Sequence, residues 1–230
     1  MFSELNKILC IAPHADDETL GCGGLISKLR KANLEVLIFV VTGPGEGMHP
    51  IFKEDTWNQV RSEFKLAIKE LGHPKYDFGN LPAAMLDHLE TYKINNTISE
   101  IIKSYKPNVI LIPSKNDLHK DHKIINYATR VASRPYLESN KNIKLILEYE
   151  TLSETNIYQL DIQDIFAPNF YVDISNTLEN KLTAFKKYKS QIQLLNQPRS
   201  IESIKTLARY RGMSFNVKFA EAFKIIFQKY

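Results

Sequence analysis

Apolar residues along the chain fall into short unbroken runs separated by amphipathic stretches. Lys7 to Ala12 is one run, closed by Pro13; Glu35 to Val41, Val109 to Ile112 and Lys144 to Tyr149 are others. Runs of this length, rich in β-branched residues, read as strands buried on both faces. Helical patterns lie between them. Thr19 to Ala32 sets Leu20, Leu25, Ile26 and Leu29 on one face, and Thr56 to Leu71 is stopped by Gly72 and Pro74. Leu89 to Tyr105 is closed by Pro107, and a further helix runs from about Asp121 to Tyr136. Gly43 to Asp55, with three glycines and two prolines, reads as a loop. The last third holds a short strand, Asn169 to Asp173, and helices over Leu178 to Lys189 and Ile201 to Arg211.

Strands alternating with helical crossovers predict an α/β fold: a Rossmann-like three-layer sandwich with a mostly parallel central sheet. No Pro/Gly/Ser-rich linker or repeat divides the chain, so the C-terminal helices are expected on the same single domain, residues 1–230.

Composition narrows the class only a little. The chain has 230 residues, 43% hydrophobic and 24% charged, values ordinary for a soluble globular protein. No segment approaches the roughly 18 to 20 apolar residues that span a bilayer, and no targeting signal is visible, so no membrane insertion and a cytoplasmic location are expected. The net charge of +4 is mild. Its densest run, Lys186-Lys187-Tyr188-Lys189, reads as a solvated helix face and not as the concentrated stripe of a nucleic-acid binder. An anionic sugar conjugate would suit the charge without being demanded by it. Cys10 and Cys22 lack the close-spaced pairing of thiolate zinc sites and read as small buried residues. A homo-oligomer is compatible with the sequence, though no heptad or exposed stripe calls for one.

Two polar clusters change the picture. His14-Ala15-Asp16-Asp17-Glu18 directly follows the first strand, and His119-Lys120-Asp121-His122 lies shortly beyond Val109–Ile112. In an open parallel sheet, ligands sit outside the carboxyl ends of the strands, so both clusters are expected at one edge. Catalytic zinc takes about three protein ligands and keeps a position for water. His14 and Asp17 can reach one ion across a strand-to-helix turn, and the second cluster need add only one imidazole. Asp16 and Asp17, side by side, suit a division between metal ligand and proton acceptor, although either could instead cap the following helix. The glycines Gly21, Gly23 and Gly24 superficially suggest a dinucleotide site. The turn before them carries three carboxylates, which would repel a pyrophosphate; close packing of helix on sheet is the better account.

Pro13-His14-Ala15-Asp16-Asp17-Glu18 with Leu20-Gly21-Cys22-Gly23-Gly24 resembles the opening signature of the PIG-L/LmbE-like zinc de-N-acetylases, and His119-Lys120-Asp121-His122 resembles their second signature. Val60-Arg61-Ser62-Glu63, Tyr210-Arg211-Gly212 and Ala220-Glu221-Ala222-Phe223 are further points of similarity. The resemblance implies removal of an N-acetyl group from an N-acetylglucosamine-type sugar conjugate. It implies His14, Asp17 and His122 as ligands of Zn2+, a set that Fe2+ and other divalent metals also accept. Asp16 would be the general base, His119 a charged or acidic partner beside the scissile carbonyl, and Arg61 a contact for substrate polar groups. From their positions alone, Asp121 would either steady a neighbouring imidazole or only cap the following helix, and Glu18 would either favour the helix dipole or orient a ligand. The family's substrate-contacting Asp is missing: Gly79-Asn80-Leu81-Pro82-Ala83-Ala84 carries alanines there, with Asn80 or Asp87 as stand-ins. Two alternatives remain beside this reading: a zinc amidase acting on another acyl-amide or a thiol-sugar conjugate, and a non-catalytic sugar-binding module of the same fold.

Overall fold

The computed structural model describes residues 5–158 and 164–229. Its strands are β1 (Lys7–Ala12), β2 (Glu35–Gly43), β3 (Lys75–Pro82), β4 (Val109–Pro113), β5 (Leu145–Tyr149), β6 (Phe170–Asp173) and β7 (Ala220–Gln228). Its helices are α1 (Asp17–Lys31), α2 (Glu54–Glu70), α3 (Thr91–Tyr105), α4 (Lys120–Ala132), α5 (Leu178–Phe185) and α6 (Ile201–Met213). The strands form one sheet in the order β3-β2-β1-β4-β5-β7-β6. The first five run parallel, and β7 pairs antiparallel with both β5 and β6. The α/β three-layer expectation is borne out.

Period-two alternation within the apolar strands feeds two cores. Ile8, Cys10, Val36, Ile38, Leu111 and Leu147 pack beneath α1, α2, α5 and α6. Their neighbours Leu9, Ile11, Leu37, Phe39, Ile110 and Ile146 pack beneath α3 and α4. In α3 the apolar seam is Ile94, Ile98 and Ile102, spaced one turn apart. Lys106 ends that helix in the left-handed region at φ 53, its N–H returning to Ile102, and Pro107 blocks continuation. Cys10 and Cys22 are buried free thiols, as expected.

Close packing of α1 is confirmed residue by residue. A Cβ on Gly21 would collide with the Tyr149 ring of β5, and one on Gly24 would meet Ile174 at 2.8 Å. The carboxylate of Glu221 on β7 accepts Gly24 N at 2.8 Å, Leu25 N at 2.7 Å and the Lys181 ammonium at 2.7 Å. This buried knot ties the last strand to the first helix.

Some expectations need correction. The hydrophobic pattern announces neither β3 nor β7. β3 is an edge strand with a largely polar, partly exposed sequence, and β7 buries only its first four residues fully. The helix expected over Leu178 to Lys189 ends at Phe185. Tyr188 beyond it is wholly buried, so the basic run is not one solvated face. Among the described residues no helix is long and apolar enough to cross a membrane.

Candidate active site

The strand order reverses between β1 and β4, and the loops leaving these two strands diverge to opposite sides of the sheet. Such a switch point opens a crevice at the strands' carboxyl ends. A cleft of about 270 Å³ lies there. His14, Asp16 and His119 line its floor, while Phe52, Trp57, Val60 and Phe78 line its outer wall.

On the floor, one oxygen gathers the first cluster and part of the second. Asp17 Oδ2 lies 3.3 Å from His14 Nδ1 and 3.2 Å from His122 Nε2, and also accepts the His14 backbone N–H at 2.9 Å. Burial alone would raise the Asp17 pKa, but His122 and His14 hold it well below the usual carboxylate range. The remaining imidazole nitrogens face carboxylates of their own. His14 Nε2 is 3.1 Å from Asp121 Oδ2, and His122 Nδ1 is 2.8 Å from Asp117 Oδ2. Burial pulls both rings down, yet Asp121 and Asp17 at His14, and Asp17 and Asp117 at His122, outweigh it: His14 rises to about 9 and His122 to about 10. His122 is 1% exposed and His14 25%.

Asp16 stands apart from that group. It precedes α1 with φ at 142°, a conformation that strains any residue with a Cβ. Its peptide N–H is accepted by Glu18 Oε2 at 3.0 Å. Glu18 is buried and is itself held by Tyr188 Oη at 2.6 Å and by Thr19. Glu18 therefore fixes the turn that carries Asp16, a more specific task than favouring the helix dipole. Burial first, then the charge of Asp17, raises Asp16 to about 7, with Arg199 pulling the other way.

His119 caps α4, its Nδ1 accepting the Asp121 N–H at 3.1 Å. Burial, then the charge of His14, lowers its pKa to about 4. A pKa lowered in this way favours the neutral ring, and with Nδ1 accepting a hydrogen bond the ring proton falls on Nε2. Asp121 is more than a companion of one ring. Its carboxylate also accepts Ala84 N at 2.6 Å and Leu86 N at 3.3 Å, joining the β3–α3 connection to the floor.

Arg61 projects from α2 into the cleft, where it bonds Asn80 Oδ1 and lies 4.9 Å above the Phe78 ring. Asn80 sits in the left-handed region at φ 56 beside a register shift between β2 and β3. Of the two stand-ins, Asn80 thus reaches Arg61, whereas Asp87 pairs with Lys120 at the surface. The loop from Gly43 to Asp55 is pinned by His49: Nδ1 accepts Ile51 N and Phe52 N, and Nε2 donates to Ala83 O at 3.0 Å. Trp57 meets both the His49 and the Phe52 ring edge to face, and those two rings pack against each other at a tilt of 36°.

The sequence reading missed Asp117, Tyr188 and Arg199. Arg199 Nη1 is 3.2 Å from Asp16 Oδ2. A signal existed for Asp117, an acid in the polar loop five positions before His122, because ligand histidines pair with a second carboxylate. None existed for Arg199.

Comparison with known proteins fits this geometry. The family model described as PIG-L: GlcNAc-PI de-N-acetylase matches residues 9–133, from β1 through α4. The diacetylchitobiose deacetylase of Thermococcus kodakarensis is 25% identical, over 98% of this chain and 85% of that protein. Among solved structures, the N,N'-diacetylchitobiose deacetylase of Pyrococcus horikoshii superposes with a TM-score of 0.76 at 23% identity, covering 98% of this chain and 85% of the other. The 4-carboxy-2-hydroxymuconate hydratase of Pseudomonas putida KT2440 also reaches 0.76, at 16% identity over 97% and 98%. At such identities these structures establish the fold, and that fold hosts more than one chemistry. With over half its length matched by the family model, the chain belongs to the PIG-L family of GlcNAc-PI de-N-acetylases.

Proposed function

We propose that the chain is a zinc-dependent hydrolase that removes an N-acetyl group from an N-acetylglucosamine-type sugar conjugate. One observation carries this reading. His14, Asp17 and His122 offer ligand atoms all within 4.8 Å of one another, beside an Asp16 carboxylate that bonds none of them. Two imidazole nitrogens and a carboxylate oxygen form a donor set suited to hydrolytic zinc, with a position left for water. The carboxylates behind each imidazole, Asp121 and Asp117, match the outer partners that fix ligand histidines. Bound there, zinc would supply a Lewis acid and a water of pKa about 7.

In this reading Asp16 takes the proton of the attacking water and holds it for the leaving nitrogen. A pKa raised to about 7 by burial and by Asp17 suits a group that must both accept and return a proton near neutrality. His119 donates its Nε2 proton as a hydrogen bond to the carbonyl oxygen as charge develops. Its neutrality leaves Asp16 as the source of the proton that the departing amine needs. Arg61 contacts polar groups of the sugar from the outer wall. The deacetylase relatives support the reaction class.

The test is metal analysis of the purified protein combined with acetate release across a panel of N-acetylglucosamine conjugates. One zinc per chain and acetate equimolar with new amine are expected. A protein without stoichiometric metal would sink the reading. The apolar wall of Phe52, Trp57, Val60 and Phe78 favours one second reading, a zinc amidase for bulkier acyl groups. N-butyryl and N-benzoyl glucosamine belong in the panel for that reason.

A further inference from the structure

We infer that Arg199 is a positioning residue for this hydrolysis, fixing the Asp16 carboxylate in one orientation through Oδ2 and leaving Oδ1 for the proton. The inference rests on the reading of Asp16 as the base. Among the described residues, it is Arg199 that donates a hydrogen bond to that carboxylate, at 3.2 Å. The guanidinium is itself fixed from other directions. Its Nε donates to Ser153 Oγ at 2.9 Å, Nη1 also meets Gln191 Oε1 at 2.8 Å, and Nη2 lies 3.7 Å from Glu154 Oε1. Ser153 and Glu154 follow β5, and Gln191 follows α5, so two separate connections set its plane. The side chain is only 21% exposed.

Asp16 needs such support because its backbone is strained at φ 142 and would relax if released. It is tethered twice: the peptide through Glu18 and Tyr188, the carboxylate through Arg199. Both distant tethers come from residues 188–199, outside the 9–133 matched by the family model. None of these contacts touches His14, Asp17 or His122, so the tethers act on the base and not on the ligand cluster. A planar fork serves several acceptors at fixed angles, whereas an ammonium offers one compact charge. Orientation, more than charge, is therefore what Arg199 contributes.

The experiment uses the full-length, zinc-loaded protein with Arg199→Ala and Arg199→Lys. Arg199→Ala should lower kcat by about 10²-fold, as expected for a misplaced reacting group, with KM within about threefold and zinc content unchanged. Arg199→Lys should recover little, while added guanidinium should partly restore Arg199→Ala. Unchanged kcat, a rise in KM alone, full recovery in Arg199→Lys or loss of zinc would each overturn the proposal. Crystals of zinc-loaded Arg199→Lys supply a readout free of turnover: the Asp16 carboxylate should leave its single rotamer while the three ligands stay in place. An unmoved Asp16 overturns the proposal even if no substrate is found. Failure of the wild type to release acetate would instead sink the deacetylase reading.

Discussion

At the floor of the cleft, each imidazole of the proposed ligand set has a carboxylate behind it: Asp121 behind His14, Asp117 behind His122. On the outer wall, Phe52, Trp57, Val60 and Phe78 present apolar surface, and Arg61 meets the neutral amide of Asn80. The floor is held by ion pairs and hydrogen bonds in a buried setting, where each group depends on its neighbour. The wall is held by ring packing, which tolerates change more readily. Under the proposed function, the difference places reaction and substrate choice in separable parts of one cleft. Floor substitutions should remove chemistry, and wall substitutions should shift affinity.

The largest effect is expected from His14→Ala or His122→Ala. Either leaves the buried Asp17 carboxylate short of a partner and the ligand set short of a donor. Zinc content measured by mass spectrometry should fall below stoichiometry, and acetate release should vanish. Full zinc occupancy in either variant would mean that the ligand was misassigned.

Asp16→Ala comes next and sharpens the division within the floor itself. It should keep zinc and lower kcat roughly 10² to 10⁴-fold, the usual weight of general acid–base catalysis. Undiminished turnover would remove Asp16 from the role of base.

A smaller effect concerns protons. In the metal-free protein His14 and His122 are raised to about 9 and about 10. A raised histidine adds stability that is fully present below its unfolded value of 6.5 and is lost as pH climbs through the folded value. Metal-free protein should therefore melt at a lower temperature at pH 10 than at pH 7. Zinc must displace both protons, so calorimetry in buffers of differing ionisation heat should show about two protons released at pH 7. Release near zero would mean that the rings are already neutral.

The smallest effect belongs to the wall. Trp57→Ala should raise KM by roughly 2- to 10-fold, the weight of one aromatic contact, with kcat nearly kept. A collapse of kcat instead would erase the contrast between wall and floor.

The legible parts of the molecule were those whose signal is carried within one short stretch of sequence. β1, β2, β4 and β5 read as unbroken apolar runs because both faces are covered. His14, Asp16, Asp17, His119 and His122 could be read because two short turns carry all of them. β3 escaped because an edge strand needs no apolar face on its solvent side, and Lys75-Tyr76-Asp77 carries little periodic signal. Arg199 and Tyr188 escaped for a different reason. Each meets its partner more than 165 positions away, at |i−j| of 183 and 170, and only the tertiary fold creates that contact. Tyr188 lay hidden in a lysine-rich run whose charges suggested solvent.

The placement of β7 bears on how the protein is made. The last strand in sequence is inserted between β5 and β6, so β6 has no place in the sheet until β7 arrives. β6 leads into α5 and then to the segment bearing Tyr188 and Arg199. During synthesis the parallel half, with both histidine turns, emerges long before the strand that seats the rest. A ribosome-bound chain would thus present both histidine turns early and gain the contacts that hold Asp16 late, so the cleft would take its final form only once β7 has emerged.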